Sequence, residues 1–356
     1  MVSYFSAQLL YCAKTIQRQI DEEVKMKAAR YYGIQDVRFE EIEKPVCGDD
    51  EVLIRIAYAG ICGSDLHIYN KEMFIQNIPE TMGHEFSGTV VETGKNVTAV
   101  KTGDIVTANP MVTCGECIAC RIGKHGSCEA LGFIGEVRQG CYAEYIALPE
   151  KDIVVAPAGT DLKKLAMAEP LAVALNICEQ AKLQPDDRML VVGPGPIGLL
   201  TIMAAKAVYG VKDITALGRS RARLEKAEEL GAKISNELGD DEYFDVTVEA
   251  AGNQKGLATA VGHVLPGGRV YVVSIFEDEF IFDINDIVAK QISLTGCNVY
   301  EKRHIEEAAQ LIAEGKVEVE RIISDTFRLE ECQDAFSALC TKDKKAIKIL
   351  FKTEEN

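Results

Sequence analysis

Two short clusters of polar side chains in the first quarter of the chain have the residue types needed for metal binding and proton transfer. The first cluster follows an apolar run, residues 52–58, that predicts a β-strand, and glycines then end that strand. The second cluster begins about twenty residues later, directly after a glycine. Together they offer a thiol, a hydroxyl, carboxylates and imidazoles: Cys62, Ser64, Asp65 and His67 in the first cluster, His84 and Glu85 in the second.

These side chains predict a catalytic zinc site, in which three protein ligands leave one coordination position open. Cys62 and His84 are the expected first two ligands. Glu85 and Glu169 are alternatives for the third, because one thiolate and one carboxylate already neutralise Zn²⁺. A second carboxylate would weaken the metal as a Lewis acid, so we expect one of the two to act through water. Asp65 is expected to orient the imidazole of His84.

A proton relay is predicted beside this metal site. Ser64 stands two residues after Cys62, where its hydroxyl could pass on the proton of an alcohol, with His67 or water as the next station. The alternative for Ser64 is an N-cap of the following helix, and the alternative for His67 is a structural role. Glu169, close to the metal in either arrangement, completes the predicted catalytic set.

A second metal site is predicted in an irregular, glycine-containing lobe, residues 109–131. Four thiolates at close spacing suit a closed tetrahedral zinc site that holds a lobe with no core of its own. An iron–sulfur cluster is the main rival, but its fourth cysteine normally follows after three residues and precedes proline. The four residues are Cys114, Cys117, Cys120 and Cys128, and the last precedes Glu129. Other cysteines are expected to be small buried apolar residues.

A glycine-rich turn predicts a dinucleotide site. The G-x-G-x-x-G pattern follows a predicted buried strand, residues 189–192, and opens a predicted helix, residues 197–209. In that context the glycines allow the backbone to approach a pyrophosphate, and the helix N-terminus provides free N–H groups. The residues of the motif are Gly193, Gly195, Pro196, Ile197 and Gly198.

The end of the second predicted strand of this unit indicates which dinucleotide binds. NAD-binding proteins usually place an acid there to accept from the ribose 2′-hydroxyl, whereas here Asp213 lies at the wrong end of the strand. Gly218 leaves room for a 2′-phosphate, and Arg219, Ser220 and Arg221 are the expected donors to it. Arg223, just beyond them, is also an expected cofactor-binding residue. We therefore predict NADP(H) rather than NAD(H). A solvated basic helix start is the alternative.

Composition limits the classes of function. The 356 residues suggest about two domains, and 47% apolar with 26% charged residues is ordinary for a globular protein. The net charge of −16 argues against a nucleic-acid binder, including a zinc ribbon built on the four-cysteine lobe. We expect no membrane span and no signal peptide, and we expect cytoplasmic residence with reduced cysteines.

Strand and helix patterns place these sites in two kinds of structure. Residues 1–25 have helical composition and form a predicted N-terminal extension. Residues 26–170 are β-rich with frequent turns, which predicts a barrel-like catalytic zinc domain. Residues 171–303 alternate strands and helices and predict a doubly wound parallel sheet that binds the cofactor. Residues 304–356 follow that domain.

The chain resembles the zinc-containing medium-chain alcohol and polyol dehydrogenases from about residue 26 to residue 352. The resemblance is carried by several motifs in the right order: Gly60–His67, Gly83–Gly88, Gly103-Asp104, the four-cysteine lobe, Glu169-Pro170-Leu171 and the glycine motif. The polyol (sorbitol), butanediol and threonine dehydrogenase branches look most similar, because they share a carboxylate at position 169. The threonine branch also has a run similar to residues 62–69, but its tryptophan segment is absent here.

The resemblance implies an α/β fold: a GroES-like β-rich catalytic domain, to which residues 304–356 return, and a Rossmann cofactor domain. It implies two zinc ions per chain, a homodimer or homotetramer, and hydride transfer between a nicotinamide cofactor and a secondary alcohol or ketone, as in a polyol, sugar alcohol or diol. Residues 280–284 are a candidate edge strand for assembly, and Tyr69, Phe133 and residues near Tyr300 are candidate cleft-lining residues. The alternatives are an NAD-linked L-threonine 3-dehydrogenase and an inactive NADPH-binding sensor or structural protein.

Overall fold

The computed structural model describes residues 24–341 and 345–353. The predicted N-terminal helix lies outside the described residues, apart from its last two positions. Short, mainly antiparallel strands build the first part of the chain. They are β1 (Lys25–Gly33), β2 (Asp36–Glu43), β3 (Glu51–Gly60), β4 (Glu80–Thr81), β5 (Glu85–Thr93), β6 (Ile105–Ala108), β7 (Met111–Val112), β8 (Gly132–Phe133), β9 (Tyr145–Pro149) and β10 (Ile153–Val155).

Strand β3 is the centre of the main catalytic sheet, whose order is β10-β6-β5-β3-β18-β17, with β9 also paired to β3. It is central because its apolar residues are buried on both faces. The last two strands come from the far end of the chain: β17 (Ile323–Arg328) and β18 (Lys348–Lys352). Strand β18 pairs antiparallel with β3, so that Leu350 lies opposite Gly60. Strand β18 therefore lies beside the residues that precede Cys62.

Three short helices lie within this unit: α1 (Gly63–Lys71), α2 (Ile118–Arg121) and α3 (Leu162–Leu165). Helix α4 (Ala168–Ala181) then leads into the second unit. The sequence predicts one helical segment over 162–183, with Glu169-Pro170 either inside it or at a break. The structure has the break at residues 166–167, because proline is tolerated in the first turn of α4 but not in a helix interior.

The second unit is a six-stranded parallel sheet with the order β13-β12-β11-β14-β15-β16. It confirms the predicted doubly wound fold, and its central strand β11 is almost wholly buried. The elements in chain order are β11 (Arg188–Val192), α5 (Pro196–Ala207), β12 (Asp213–Leu217), α6 (Arg221–Glu229), β13 (Lys233–Ser235), β14 (Phe244–Glu249), α7 (Gln254–Gly262), β15 (Val264–Val272), α8 (Asn285–Lys290), β16 (Ser293–Gly296) and α9 (Lys302–Ala313). Helix α10 (Cys332–Leu339) follows β17 and packs in the core of the catalytic unit.

The predicted edge strand at residues 280–284 is wrong. These residues form an irregular segment before α8, and the strand at this edge of the sheet is β16. Burial does alternate along this segment: Phe280 and Phe282 pack against the core, and Ile281 between them is exposed. Alternating burial is necessary for an edge strand but does not supply the backbone pairing.

One apolar core lies around α4, α5 and the parallel sheet, and another lies beneath the catalytic sheet. The core around the parallel sheet also includes Met111, Val154 and Leu350 of the catalytic unit, so the two units pack against each other. Among the described residues there is no helix long and apolar enough to cross a bilayer.

Candidate active site

The first two polar clusters meet at one point between β3, α1 and β5. Cys62 is the N-cap of α1, and His84 and Glu85 stand at the start of β5. One ligand atom from each of the three residues lies within 4.8 Å of the other two. Gly83 makes this approach available, because its φ is +92° and a Cβ there would lie 2.4 Å from the ring of Tyr142.

Glu85 has a partner that the sequence analysis missed. Lys348 of β18 forms a buried ion pair with Glu85, each side chain being 1% exposed, and its ammonium also donates to the carbonyl of Ile61 at 2.9 Å. Gly60 leaves the space, since a Cβ there would overlap the Glu85 carboxylate. A lysine in a terminal strand gives no sequence signal for this role, because only the β3–β18 pairing brings it here.

Glu169 lies at the same centre but is held by another residue. The hydroxyl of Tyr300 donates to its Oε1 at 2.5 Å, and both side chains are buried. Burial raises the pKa of Glu169 to about 7, against the opposing effects of His84 and the Tyr300 hydrogen bond. The structure thus brings Glu85 into the group of three potential ligands and places Glu169 beside it.

The expected hydrogen bond between Asp65 and His84 is not formed. Oδ2 of Asp65 accepts from the backbone N–H of Cys62 at 2.7 Å and from the hydroxyl of Tyr142 at 2.6 Å. Its Oδ1 is 3.9 Å from Nδ1 of His84, and neither atom has a hydrogen-bond partner in the described part of the chain. Asp65 therefore fixes the turn that carries Cys62, and it acts on the imidazole by charge.

The residues of this centre fit a divalent cation. Burial opposes the charged form of His84, yet the Cys62 thiolate and the carboxylates of Asp65 and Glu169 raise its pKa well above the ordinary value. The centre therefore has an excess of negative charge against the single described ammonium of Lys348. A thiolate, an imidazole and a carboxylate are also the donors that zinc prefers.

The two predicted relay residues lie on α1. Ser64 is the second residue of the helix, so the alternative of an N-cap is wrong, since Cys62 holds that position. His67 Nδ1 is 2.6 Å from Oε1 of Glu277, and Lys71 Nζ is 2.5 Å from Oε2 of the same carboxylate. Glu277 follows β15, so these contacts join the two units across the cleft.

The four cysteines of the lobe come together as predicted. Their sulfur atoms lie within 4.8 Å of one another. Backbone N–H groups donate to the sulfurs of Cys114, Cys117 and Cys128, and the hydrogen bond from Cys120 N lowers the pKa of Cys117 to about 6. Tetrahedral Zn–S bonds place sulfurs about 3.8 Å apart, so this spacing fits a single ion better than the wider ligand set of an iron–sulfur cluster.

The glycine motif stands between β11 and α5. Gly193 has φ +98°, and a Cβ there would lie 2.7 Å from the backbone of Ala250. A Cβ on Gly198 would lie 2.3 Å from the carbonyl of Gly193, so the helix packs directly on the turn. Gly195 is the N-cap of α5, and Pro196 and Ile197 form its first turn.

A cavity of about 670 Å³ opens above this turn. Its charged lining residues within the described chain are all cationic: Arg219, Arg221, Arg223 and Lys255. Arg221 is turned toward Glu225, to which it donates at 2.7 Å. A Cβ on Gly195 would lie 3.7 Å from Nη1 of Arg223, so the guanidinium of Arg223 lies against the glycine turn.

Position 218 has no room for an acid. A Cβ on Gly218 would lie 2.7 Å from the ring of Pro194, which fills that space. Ser220 is the N-cap of α6, but its hydroxyl makes no capping bond and is buried without a partner in the described residues, as is Nε of Arg223. Asp213 pairs with Lys233 at the opposite end of β12.

Two of the proposed cleft-lining residues are where they were expected. The ring of Phe133 lies 5.6 Å from that of His84, and Tyr300 contacts Glu169. Tyr69 is not a cleft residue, because it is buried against Phe336 in the core of the catalytic unit. Tyr69 lies on the face of α1 that packs into the core, on the side away from the cleft.

Comparison with known proteins agrees with this geometry. Residues 48–158 match the alcohol dehydrogenase GroES-like domain, and residues 196–314 match the zinc-binding dehydrogenase domain. The L-threonine 3-dehydrogenase of Bacillus velezensis is 33% identical over 84% of this chain and 91% of its own length. The sorbitol dehydrogenase of Halalkalibacterium halodurans is 31% identical over 90% of this chain and 96% of its own.

Among solved structures, 2R,3R-butanediol dehydrogenase from Bacillus subtilis matches with a TM-score of 0.85 and 34% identity, covering 92% of this chain and 100% of that one. The predicted fold class, a GroES-like unit with a Rossmann unit, is therefore confirmed, and so is the enzymatic nature of the protein. On these matches and on its own motifs, the chain belongs to the zinc-containing medium-chain alcohol and polyol dehydrogenases.

Proposed function

We propose that this protein transfers a hydride between NADP(H) and a secondary alcohol or ketone, with a polyol, sugar alcohol or diol as its substrate. The observation that carries the proposal is the convergence of Cys62, His84 and Glu85 beside Glu169, across a cleft from a cationic cofactor cavity. With NADPH as the cofactor, the favoured direction is reduction of the carbonyl.

Cys62, His84 and Glu85 are the residues that would hold the catalytic zinc, and Glu169 lies close to them. Zinc bound there would act as a Lewis acid that lowers the pKa of a substrate hydroxyl. Lys348 offsets the charge of Glu85, so the three ligands together present about one excess negative charge to the metal. Tyr300 keeps the carboxylate of Glu169 directed into the site.

Proton transfer is assigned to Ser64 and His67. In alcohol oxidation Ser64 accepts the hydroxyl proton of the substrate and passes it toward His67, three residues further on along α1. In carbonyl reduction the same residues deliver the proton in the opposite direction. Glu277 contacts Nδ1 of the His67 imidazole, so Nε2, on the other side of the ring, is not used by this contact. Cys114, Cys117, Cys120 and Cys128 hold a second, structural zinc.

The preference for NADP(H) rests on three features of the cavity. Pro194 excludes an acid at position 218, Arg219 is exposed beside it, and Ser220 and Arg223 have buried donors without partners in the described chain. A 2′-phosphate would satisfy these donors, because charge-assisted hydrogen bonds from arginine suit phosphate geometry. The NAD-linked threonine reaction is the less favoured function for the same reason.

A matched pair of variants tests this preference. Arg219→Ala should lower kcat/KM for NADP by about tenfold to a hundredfold with little effect on NAD, since a charged hydrogen bond is lost only with the phosphorylated cofactor. Arg223→Ala should weaken the binding of both cofactors, and of NADP more strongly, because Arg223 lies against the turn that both share and also offers a donor to the 2′-phosphate. Equal kcat/KM for the two cofactors in the wild type would contradict the assignment.

The substrate class is tested with a panel of diols, polyols, sugar phosphates, L-threonine and simple ketones, each with NADP(H) and NAD(H). Zinc content is measured on the same protein, with two ions expected per chain. Turnover of L-threonine alone with NAD would favour the threonine reaction. Full zinc and cofactor binding without turnover of any alcohol would favour a sensor or structural role.

We also propose that the chain forms a homodimer or homotetramer through the β16 edge of the parallel sheet. That edge is accompanied by exposed apolar side chains at Leu294, Ile281, Ile284 and Val288. Leu294→Asp should shift the mass in solution toward the monomer in light-scattering measurements. An unchanged mass would place the interface elsewhere.

A further inference from the structure

A glutamate of the cofactor unit contacts the helix that carries the proposed proton relay. Glu277 lies in the segment after β15, and its Oε1 is 2.6 Å from Nδ1 of His67. Its Oε2 is 2.5 Å from Nζ of Lys71, the last residue of α1. One carboxylate of the cofactor unit thus holds two side chains of the catalytic unit across the cleft.

The segment that carries Glu277 is fixed to the rim of the cofactor cavity. The hydroxyl of Ser274 donates to the buried carboxylate of Glu249, which ends β14. A Cβ on Gly252 would lie 2.8 Å from the carbonyl oxygen of Ile275, so the segment packs against the loop that follows β14. That loop lines part of the cofactor cavity. The cofactor unit therefore sets the position of Glu277 relative to α1.

The contact with Glu277 decides which nitrogen of His67 carries a proton. The hydrogen bond from Lys71 lowers the pKa of Glu277, so its carboxylate is ionised near neutral pH and can only accept hydrogen bonds. Nδ1 of His67, at 2.6 Å, is therefore the donor. In the neutral imidazole the other nitrogen, Nε2, then has no proton and can accept one. Without such a partner, both tautomers of a histidine are available.

Resting on the proposed function, we infer that Glu277 is a positioning residue of the proton relay: from the cofactor unit it holds His67 in the tautomer whose Nε2 accepts a proton. In alcohol oxidation the O–H bond of Ser64 breaks as an N–H bond forms at Nε2, and Ser64 takes the hydroxyl proton of the substrate in exchange. The N–H at Nδ1 stays on Glu277, and the proton at Nε2 passes on to water. The relay is thus complete only when the two units are in contact.

A plain ion pair between the units is the competing explanation for the same contacts. Glu277, His67 and Lys71 are all partly exposed, and ion pairs at such positions contribute little to stability. An ion pair between the units needs only Lys71, whereas fixing the tautomer needs His67. The two explanations therefore predict different effects for variants of these residues.

The first measurement reads the tautomer of His67 without any catalysis. The chain has 5 histidines, so selective ¹⁵N labelling of histidine gives few imidazole signals in NMR spectra, and His67→Gln identifies those of residue 67. In the wild type the neutral ring should carry its proton on Nδ1. Glu277→Ala should move both nitrogen signals toward a mixture of tautomers, and Lys71→Met should leave them in place. A wild-type ring protonated on Nε2, or unchanged signals in Glu277→Ala, would overturn the inference.

The second measurement is turnover with NADP and the best alcohol of the panel above, beginning with 2,3-butanediol. Glu277→Ala should lower kcat about tenfold with little change in the KM of the alcohol, because proton transfer is slowed and substrate binding does not use Glu277. In a His67→Gln background the same change should cost nothing further, since Glu277 acts through His67. Glu279→Ala, at an exposed acid of the same segment, is the matched control.

The outcomes separate the two explanations and the two proposals. Equal losses from Glu277→Ala with and without the His67 imidazole, or an equal loss from Lys71→Met, would mean that Glu277 only links the units and would overturn the inference. If the wild type turns over no alcohol of the panel, the proposed function itself fails. The NMR result then still decides whether Glu277 fixes the tautomer of His67.

Discussion

The two cysteine-containing centres of this protein are built in opposite ways. The four-cysteine lobe takes all its sulfur atoms from residues 114–128, and its own backbone N–H groups donate to them. The catalytic centre instead depends on contacts between distant residues: Tyr300 donates to Glu169, and Lys348 pairs with Glu85. The lobe is a local structure that a metal can hold, whereas the catalytic centre exists only once both units have folded.

The largest expected effect is that of Cys62→Ala, which should lower activity without lowering stability. Cys62→Ala should lower kcat/KM by about a thousandfold or more, because the variant lacks a proposed zinc ligand and Lewis-acid catalysis by zinc is worth several kcal/mol. Zinc should fall from two ions to one per chain, with little change in urea unfolding. Cys340→Ala, at an exposed cysteine, is the control. A Cys62→Ala protein with normal turnover would remove Cys62 from the site.

The reverse result is expected for the lobe. Cys120→Ala should lower the free energy of unfolding by about 4 kcal/mol, since loss of a structural metal belongs to the most destabilising class of changes. Urea unfolding monitored by circular dichroism, together with zinc content, measures it. If Cys120→Ala loses activity but keeps the unfolding midpoint of the wild type, the two centres do not differ as proposed.

Lys348→Met tests how much the ion pair between Lys348 of β18 and Glu85 stabilises the catalytic centre. Breaking a buried ion pair leaves Glu85 without a counter-charge and should destabilise the metal-free protein by about 3 kcal/mol. The loss should be smaller with zinc bound, because the cation replaces part of the missing charge. Unfolding is measured with and without chelator, and equal losses in both states would contradict this account.

The smallest effect is expected from Tyr300→Phe. Its hydroxyl stabilises the charged form of Glu169, so removing it should raise the pKa of that carboxyl further. The acidic limb of the pH profile of kcat/KM should then move to higher pH, with about a tenfold loss of activity near that limb. An unchanged profile with reduced activity would mean that Tyr300 acts only by packing.

Much of the chemistry of this protein could be predicted from residues that are close in sequence. Each of these motifs combines a short spacing with a turn or strand pattern: the four cysteines, the glycine motif, and the segments of Cys62 and His84. Such local patterns can be recognised without knowing how the rest of the chain folds. The family resemblance followed from their order, and the comparisons agree with it.

The sequence by itself determined which residues can bind a metal or a dinucleotide, because spacing and residue type are local properties. Tertiary structure alone decided the pairing of Lys348 with Glu85 and the hydrogen bond from Tyr300 to Glu169. It also corrected three expectations: the hydrogen bond between Asp65 and His84, the position of Tyr69 in the cleft, and the edge strand at residues 280–284. These contacts join residues far apart in sequence, and strand pairing and packing, which no local pattern specifies, bring them together.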